Sequence, residues 1–248
     1  EDLGEGGGRE MSKTDLSEER GLIRKLLLPD GSSHSLSVAM ASRSGSGKTT
    51  LLTRLITEAR KDEAFKDVRF IYVSVKEEHL FKEKKLKPTN DLFKLFKHLR
   101  KNSIGIFYPS DPANYELEVD ALIENVFQLS NSNPKTGFVI ILDDANILKG
   151  FDNRGTPSPA VKKLAVAGRS KNIRGLYITH RIANLPRIMM GNLSGLILMS
   201  ISSMDLDYSR KIFGVDFEPI LPELHSYRWA YVDLISEKMD LFNPVKVV

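Results

Sequence analysis

The sequence predicts an α/β fold of three layers, in which helices cover both faces of a mainly parallel central sheet that ends in a C-terminal β-hairpin. Runs of β-branched and apolar residues alternate along the chain with segments of helical period, which indicates a layered α/β architecture. The run 138–142 is apolar at all five positions without alternation, as is typical of a strand buried in the centre of a parallel sheet. The chain has 248 residues and 41% hydrophobic content, so we expect one domain over 11–248, with 11–34 as a lead-in.

The first ten residues have a different composition from the rest of the chain. Residues 1–10 are rich in glycine and acids, are apolar only at Leu3 and precede Met11, so we expect them to be a remnant of an expression vector. They contain four acids and one arginine, a net charge of −3, so the formal +4 of the whole chain becomes +7 for 11–248. That balance is compatible with a polyanionic partner such as double-stranded DNA.

Composition also excludes several classes of protein. The chain has no cysteine, which excludes disulfides and thiolate zinc sites, and its five histidines are too scattered for a local metal motif. Neither an apolar run of about 18 residues nor a secretory start is visible, so we expect a soluble, intracellular protein without a membrane span.

The first half of the chain predicts the following elements. The apolar stretch 22–28, a Pro-Asp-Gly turn and a strand over 35–40 are consistent with a β-hairpin that leads into the site. A helix is expected over 48–59, because its leucines and isoleucine fall on one side. The β-branched and aromatic content of 68–75 predicts the next strand.

Residues 76–101 are rich in lysine with interleaved phenylalanine and leucine. Asp91 is suited to cap the N-terminus of a helix there. The helical period predicts that its inward-facing residues are Leu92, Phe93, Leu95, Phe96 and Leu99.

The second half continues the alternation of helices and strands. Helices are expected over 115–129 and 160–168, with a short helical segment over 185–190. Besides the run 138–142, strands are expected over 175–179 and 195–201, and a closing hairpin over 227–233 and 239–242.

A phosphate-binding loop lies between the first predicted core strand and the helix that follows it. Residues 42–50 read Ser-Arg-Ser-Gly-Ser-Gly-Lys-Thr-Thr, and the strand–loop–helix context makes this motif a credible nucleotide site. Glycines let the backbone curl so that several N–H groups point at one polyphosphate, at the positive end of the helix. The residues expected to bind ATP are Ser44, Gly45, Ser46, Gly47, Lys48, Thr49 and Thr50.

This loop by itself predicts the binding of a nucleoside triphosphate, and together with the alternating α/β pattern it predicts a P-loop NTPase fold of the RecA/ASCE-like kind. Lys48 would neutralise the β and γ phosphates and Thr49 would hold Mg²⁺. Ser42 stands where the first glycine of the G-x-x-x-x-G-K-[ST] pattern is usual, and a serine fits there if its φ is negative.

Two consecutive acids follow the apolar strand 138–142. A strand of a parallel sheet brings its carboxyl end to the edge where Thr49 and Mg²⁺ would lie, so we assign Asp143 to Mg²⁺ through water. Asp144 is assigned to orient the attacking water. His180, at the end of a later strand, is a candidate sensor of the γ-phosphate, and its position is equally consistent with a structural role.

Phosphoryl transfer also needs positive charge at the γ-phosphate, which an arginine finger supplies in many such enzymes. The candidates in this chain are Arg154, Arg169, Arg174, Arg181 and Arg210.

The region around His180 resembles the FtsK–HerA superfamily. Ala167–Ser170 and Ile173–Arg181 are similar to the segment in which an arginine-bearing helix leads to a strand ending Thr-Gln-Arg, although His180 replaces the glutamine. Further similarity lies in Leu185-Pro186, Ile201–Asp205, Asp207–Arg210 and Leu221–Leu224, so that the resemblance spans 35–248.

This superfamily consists of ring-forming, usually hexameric, ATP-driven DNA translocases. The chain is similar in extent to the genome-packaging ATPases of membrane-containing icosahedral viruses, which implies that it moves double-stranded DNA into a preformed capsid. The resemblance also implies Arg169 as the first choice for a finger that reaches a neighbouring subunit, with Arg181 second.

The resemblance further implies capsid or membrane-vertex proteins as partners, in the host cytoplasm or at the packaging vertex of the virion. Basic residues would contact DNA phosphates in the ring pore and give affinity without base specificity. The candidates are Lys82, Lys84, Lys85, Lys87, Lys94, Lys97, Arg100 and Lys101, which are equally consistent with the solvated faces of helices.

Other functions remain open at the level of sequence. A cellular HerA-like translocase in repair or defence is the nearest alternative. A small-molecule or nucleoside kinase would share the phosphate loop but has no reason to carry the Thr179-His180-Arg181 segment. A nucleotide-switched scaffold that hydrolyses ATP poorly is suggested by Ser42 and by Asp144, which is shorter than the glutamate often found in its role.

Overall fold

The computed structural model describes residues 20–31, 36–74, 86–151, 156–226 and 228–244. In these ranges the strands are β1 (Ser37–Ala41), β2 (Val68–Val73), β3 (Ile104–Phe107), β4 (Gly137–Leu142), β5 (Ile173–Thr179), β6 (Leu193–Leu198), β7 (Trp229–Asp233) and β8 (Lys238–Phe242). The α-helices are α1 (Arg20–Leu27), α2 (Lys48–Ala59), α3 (Leu92–Leu99), α4 (Tyr115–Ser132), α5 (Pro159–Ala167), α6 (Arg187–Met190), α7 (Ser203–Phe213) and α8 (Leu221–His225).

All the described strands join one sheet with the order β3-β2-β4-β5-β1-β6-β7-β8. The pairs from β3 to β6 are parallel, whereas β6–β7 and β7–β8 are antiparallel. Helices α1 and α2 bury their apolar residues against one face of the sheet, and α3, α4 and α5 against the other. The predicted three-layer α/β fold with a mainly parallel sheet and a C-terminal hairpin is therefore confirmed.

The strand order brings three chain segments to one edge of the sheet. β1 lies between β5 and β6, and β4 lies beside β5. The register pairs Ala41 with Thr179 and Leu142 with Tyr177, so β1, β4 and β5 end at nearly the same height. The residues that follow these strands, which include the phosphate loop and the two acids, therefore meet at the carboxyl edge of the sheet.

The expected hairpin over 22–40 is wrong, because its first arm is the helix α1. The buried residues of α1 are Leu22, Ile23, Leu26 and Leu27. The spacing of these residues places them on one helical face, which packs against α2, while Arg24 and Lys25 remain exposed.

Several elements lie outside the sequence prediction. The strand β3 and the helices α7 and α8 were not expected, and β3 is only four residues long with Gly105 in its second position. A Cβ atom at Gly105 would lie 2.7 Å from Leu95 Cδ1, so the glycine lets α3 pack directly on the sheet. The same glycine weakens the local strand signal.

The prediction for the α3 helix was right in its cap and partly wrong in its buried face. The Asp91 carboxylate accepts a hydrogen bond from the Lys94 N–H at 3.1 Å, as expected of an N-cap. Leu95 and Leu99 are buried, but the Phe93 side chain is 76% exposed. Phe93 lies about 100° around the helix from Leu92, and this rotation takes it off the apolar face.

Within the described ranges, no helix combines the length and the apolar character that crossing a membrane requires.

A bidentate ion pair between Arg24 and Asp62 links α1 to the turn that follows α2. Arg24 donates from Nε to Asp62 Oδ2 at 2.7 Å and from Nη2 to Asp62 Oδ1 at 2.8 Å. The Asp62 carboxylate also caps the turn that follows α2, where it accepts from the Ala64 N–H at 3.1 Å. The hydrogen bonds from Arg24 lower the pKa of Asp62 to about 2.

We expect Asp62→Asn to destabilise the protein at neutral pH, because the amide loses the charge that pairs with Arg24. A folded-state pKa below the ordinary 3.8 means that the ionised carboxylate contributes stability above about pH 4, and that this contribution is lost as the pH falls toward 2. The free energy of unfolding in urea, measured between pH 7 and pH 2.5, should therefore differ most from wild type at neutral pH and converge in acid.

The control is Asp216→Asn, which makes the same change in the exposed pair between Arg210 and Asp216 and should have a smaller effect. A difference between Asp62→Asn and wild type that is constant over the pH range would contradict this account.

Candidate active site

The start of the phosphate loop is hydrogen-bonded to the ends of β5 and β6, the two strands that flank β1. Ser42 donates its backbone N–H to the Thr179 carbonyl at 3.1 Å, and Arg43 donates to the Ser200 carbonyl at 2.9 Å. Gly45 and Gly47 have φ values of 75° and 91°, in the left-handed region that favours glycine. These contacts and turns direct the N-terminus of α2 into a pocket at the carboxyl edge of the sheet.

The Ser42 position is compatible with a serine. Among the described residues, positive φ outside glycine occurs only at Asp144, Asn172 and Glu237, so Ser42 needs no glycine-like backbone. Its side chain is fully buried, and its hydroxyl is hydrogen-bonded to that of Ser46. Serine here adds a side-chain contact inside the loop.

Lys48 lies across the loop in this structure. Its Nζ donates to the carbonyl oxygens of Ser42 at 3.0 Å and Arg43 at 2.9 Å, which places its charge at the start of the loop. The pocket measures about 310 Å³. It is lined by Ser44, Gly45, Gly47, Lys48, Thr49, Asp143, Asp144 and His180.

Of the residues assigned to ATP, Ser46 and Thr50 do not line this pocket. Ser46 is buried and contacts Ser42 instead, so its side chain stabilises the loop. Thr50 lies in the first turn of α2, where backbone N–H groups have no partner within the helix and can bind an anion.

Asp143 follows β4 and is held on both of its carboxylate oxygens. Oδ1 accepts the Asp144 N–H at 3.0 Å, and Oδ2 accepts the hydroxyl proton of Tyr72. Burial raises the pKa of Asp143, the Tyr72 hydrogen bond opposes that rise, and the neighbouring Asp144 charge adds to it. Tyr72 was not expected at the site, because on sequence it is one more aromatic residue of a core strand.

Asp144 has an unusual backbone and a defined partner. Its φ of 48° and ψ of 45° are left-handed, a conformation that aspartate tolerates better than most side chains. Its carboxylate Oδ1 lies 3.1 Å from His180 Nε2, and only 8% of the residue is exposed. His180, which follows β5, therefore contacts the acid assigned to the attacking water, which follows β4. The sequence did not indicate this contact.

The residues of the pocket fit a magnesium ion that accompanies a nucleotide. The Thr49 hydroxyl and the Asp143 carboxylate are hard oxygen donors, which Mg²⁺ prefers, and both line the pocket with Lys48. Two acids lie side by side at a buried edge, and burial already disfavours the charge on Asp143. A bound cation would offset that cost.

The structure does not bring Arg169 to the site of its own chain. Arg169 is exposed and begins the 3₁₀ turn Arg169–Lys171, which precedes β5. The seven residues of β5 span about 20 Å at the usual rise, and the phosphate loop lies at the far end of that strand. Within one chain the Arg169 side chain cannot cover this distance.

Arg181 lies next to the nucleotide pocket. Together with Arg43, Ser44, His180, Ser202 and Asp205, it lines an adjoining cavity of about 340 Å³. Its Nε is 3.5 Å from Oδ1 of the buried Asp205.

The three remaining arginine candidates are placed elsewhere. Arg174 is buried at the amino end of β5, where it donates to Ser194 Oγ at 2.9 Å. Arg210 is paired with Asp216 and Glu218 on the surface. Arg154 lies outside the described residues.

The candidate DNA contacts that the structure describes lie at the β3 edge of the sheet. Lys94, Lys97, Arg100 and Lys101 are exposed on α3 and just beyond it, and Lys87 is exposed before it. Lys82, Lys84 and Lys85 lie outside the described residues. β3 is an edge strand, so this basic stripe follows the outer side of the molecule, four strands away from β1.

Comparison of the sequence with known protein families and with curated proteins finds no match. Solved structures do match. The genome packaging NTPase B204 of Sulfolobus turreted icosahedral virus 2, in complex with AMPPCP, is 16% identical, with a TM-score of 0.63 over 85% of this chain and 98% of that chain. B204 of Sulfolobus turreted icosahedral virus, described as a DNA-packaging ATPase, is 17% identical with a TM-score of 0.65 over 86% and 98%.

VirB4 of Thermoanaerobacter pseudethanolicus is 7% identical, with a TM-score of 0.59 over 88% of this chain and 91% of that chain. At such identities the likeness shows the fold. The chain therefore has a P-loop ATPase fold, the class that its phosphate loop and sheet order also define. The resemblance to genome-packaging ATPases that the sequence indicated is confirmed at that level.

We expect Asp144→Asn to abolish ATP turnover while ATP binding is retained. The amide keeps the shape of the side chain but cannot act as the carboxylate that orients and polarises water, and removal of such a group costs a factor of about 10² or more in rate. Phosphate release and the binding of a fluorescent ATP analogue would be measured on the same protein.

The control is Asp120→Asn, which alters a half-buried aspartate that accepts a hydrogen bond from Ser158, away from the pocket. Full turnover in Asp144→Asn, or loss of nucleotide binding together with turnover, would contradict the assignment of Asp144.

Proposed function

We propose that this protein is an ATPase that moves double-stranded DNA into a preformed viral capsid. One observation carries the proposal. Lys48, Thr49, Asp143 and Asp144 line one pocket at the carboxyl edge of the sheet, in a fold that matches 98% of the genome packaging NTPase B204. The pocket supports ATP hydrolysis, and the whole-chain likeness favours packaging as its use.

Each residue of the pocket has a separate role in the proposed hydrolysis. The backbone N–H groups of the loop and the Lys48 amine would hold the phosphates. Thr49 and, through water, Asp143 would hold Mg²⁺, which neutralises charge on the phosphate oxygens when bound. Asp144 orients and polarises the attacking water, and the contact between His180 Nε2 and Asp144 Oδ1 fixes the direction of that carboxylate. Through this contact, His180 is proposed to sense the γ-phosphate and to respond to its loss.

The position of Arg169 favours action between subunits. An exposed arginine at the amino edge of the sheet could reach a phosphate only in the pocket of a neighbouring copy. A ring of identical chains, proposed as a hexamer, provides that geometry. Arg181 acts in its own chain in this scheme, because it lies beside His180 at the rim of the pocket.

The stripe of Lys87, Lys94, Lys97, Arg100 and Lys101 is the proposed DNA surface. These side chains are exposed, and within the described ranges their one acidic partner is Asp91, whose Oδ2 lies 3.6 Å from Lys94 Nζ. Such a surface binds phosphates without reading sequence, as a motor that moves along any DNA requires. Capsid or membrane-vertex proteins, at the packaging vertex, would then anchor the ring while DNA passes through it.

A second candidate follows from the fold comparison. The cytoplasmic domain of the Type VII secretion ATPase EccC of Thermomonospora curvata shares the fold with a TM-score of 0.54 over 87% of this chain and 26% of that chain. A motor of this fold could therefore act on a polymer other than DNA, or on DNA in a cell, as a HerA-like translocase would.

We expect long duplex DNA to raise the ATPase rate of the wild-type protein, and the double variant Lys97→Glu/Arg100→Glu to lose most of that stimulation. Each lost phosphate contact should reduce the slope of log affinity against log salt by about 0.9. The measurements are steady-state ATP hydrolysis with and without DNA, and DNA binding across a salt series.

The control is Lys135→Glu, an equal change of charge at an exposed position in the turn before β4, which should leave stimulation and slope as in wild type. Hydrolysis that DNA does not stimulate would favour the second candidate. If the slope of log affinity against log salt is unchanged in the double variant, these basic side chains do not contact DNA and form only a solvated surface.

We expect Arg169→Ala subunits and Lys48→Ala subunits, each inactive alone, to regain part of the ATPase activity when they are mixed. In a mixed ring an intact pocket of one subunit can receive Arg169 from the other, so activity should follow the mixing ratio with a maximum between the pure proteins.

The control mixture combines Asp144→Asn with Lys48→Ala. Both of those residues line the pocket of a single chain, so no shared site is complete and no activity should return. Absence of rescue in the Arg169 mixture would contradict action in trans.

A further inference from the structure

A tyrosine of the neighbouring strand reaches the first acid of the pocket. Tyr72 belongs to β2, which pairs with β4 in parallel register, and the residue is 1% exposed. Its ring lies in the hydrophobic core between the sheet and α2, together with Leu52, Leu55 and Val139. Its hydroxyl donates to Asp143 Oδ2. Core packing therefore fixes the ring, and the ring fixes the position of the donor.

The backbone restrains Asp143 from two further directions. Its own N–H donates to the Val73 carbonyl at 3.0 Å, which continues the pairing of β4 with β2 beyond the last strand residue. Its Oδ1 accepts the Asp144 N–H at 3.0 Å. Among the described residues, each carboxylate oxygen thus has one protein donor. A carboxylate has about four acceptor sites, so acceptor capacity remains for a ligand in the pocket.

The chemical nature of the donor matters for a residue that is to approach a cation. A lysine or arginine at the position of the Tyr72 hydroxyl would cancel the charge on Asp143 and compete with Mg²⁺. A neutral hydroxyl orients the carboxylate and leaves its net charge in place. The pocket needs that charge, because Asp143 and Thr49 are its proposed oxygen donors toward the ion.

A buried tyrosine hydroxyl also needs a partner for stability alone. Tyr177 illustrates that simpler role, since it is fully buried and shares a hydrogen bond with Ser37 Oγ at 3.3 Å, away from the nucleotide pocket. Tyr72 differs because its acceptor is a carboxylate that lines the pocket.

We infer that Tyr72 is a positioning residue for magnesium, which holds the Asp143 carboxylate in the orientation that receives the metal–nucleotide complex. The inference rests on the proposed function, because a nucleotide-hydrolysing site is what gives Asp143 a metal to bind. Tyr72 is thereby added to the residues of the proposed nucleotide site, from a strand that carries neither the phosphate loop nor the paired acids.

The test is binding of a fluorescent ATP analogue to Tyr72→Phe as a function of Mg²⁺ concentration. Tyr72→Phe should need about tenfold more Mg²⁺ for half-maximal enhancement of binding, since loss of such an outer partner weakens metal sites by about 10–100-fold. Binding in EDTA should equal that of wild type, because the phosphate loop is untouched. Mn²⁺ bound with the nucleotide, followed by electron paramagnetic resonance, should show the same weakening.

Tyr177→Phe is the matched control, because it removes one buried, hydrogen-bonded hydroxyl elsewhere in the same sheet. Its Mg²⁺ dependence should match wild type even if its melting temperature falls. An equal rise in the Mg²⁺ requirement in both variants would overturn the inference, since it would show a general effect of destabilisation.

The double variant Tyr72→Phe/Asp143→Asn tests whether Tyr72 affects the Mg²⁺ requirement through Asp143 or independently of it. If Tyr72 acts through Asp143, the double variant should need no more Mg²⁺ than Asp143→Asn alone. A full additional loss would overturn the inference.

The proposed function fails separately, at the wild-type protein, if Mg²⁺ does not alter its nucleotide binding and ATP is not hydrolysed. A wild type that binds Mg²⁺–nucleotide normally, beside a Tyr72→Phe that behaves identically, would overturn the inference alone.

Discussion

The structure depends on the placement of β1 between two parallel neighbours. Ser42 and Arg43, the first residues of the phosphate loop, donate their N–H groups to carbonyls that follow or end β5 and β6. The loop therefore starts from a fixed height, and its positive-φ glycines turn it into the N-terminus of α2. Because β4 lies beside β5, the same arrangement delivers Asp143 and Asp144 to the pocket. A different strand order would leave the same motifs apart.

The electrostatics of this edge follow from its burial. Burial raises the pKa of Asp143, and its carboxylate accepts hydrogen bonds from the Tyr72 hydroxyl and the Asp144 N–H. These neutral donors orient the carboxylate without cancelling its charge, which the proposed metal site needs. The exposed Arg169 lies at the opposite edge, from which we propose that it reaches the pocket of a neighbouring subunit.

Local patterns predicted much of the fold, and the exceptions have physical causes. The helix 48–59 was predicted with the bounds that the structure has. The phosphate loop fixes its start, and the helical spacing of its apolar residues indicates its length. The α1 segment was taken for a strand because eight residues are only about two helical turns, too few to show a clear helical period. Its packing on α2 stabilises the helix. Phe93 was expected inside, but the sheet offers α3 only the stripe that contains Leu95 and Leu99.

The sequence by itself determined the features that are encoded within a few residues: the strand–loop–helix unit at Ser42–Thr50, the buried run that ends in two acids, and the alternation of elements. Only the tertiary structure decided which distant residues meet there. The contacts of Tyr72 with Asp143 and of His180 with Asp144, and the separation of Arg169 from its own pocket, depend on strand order and register. Strand order and register are set by the packing of the whole chain, so short-range sequence patterns do not predict them.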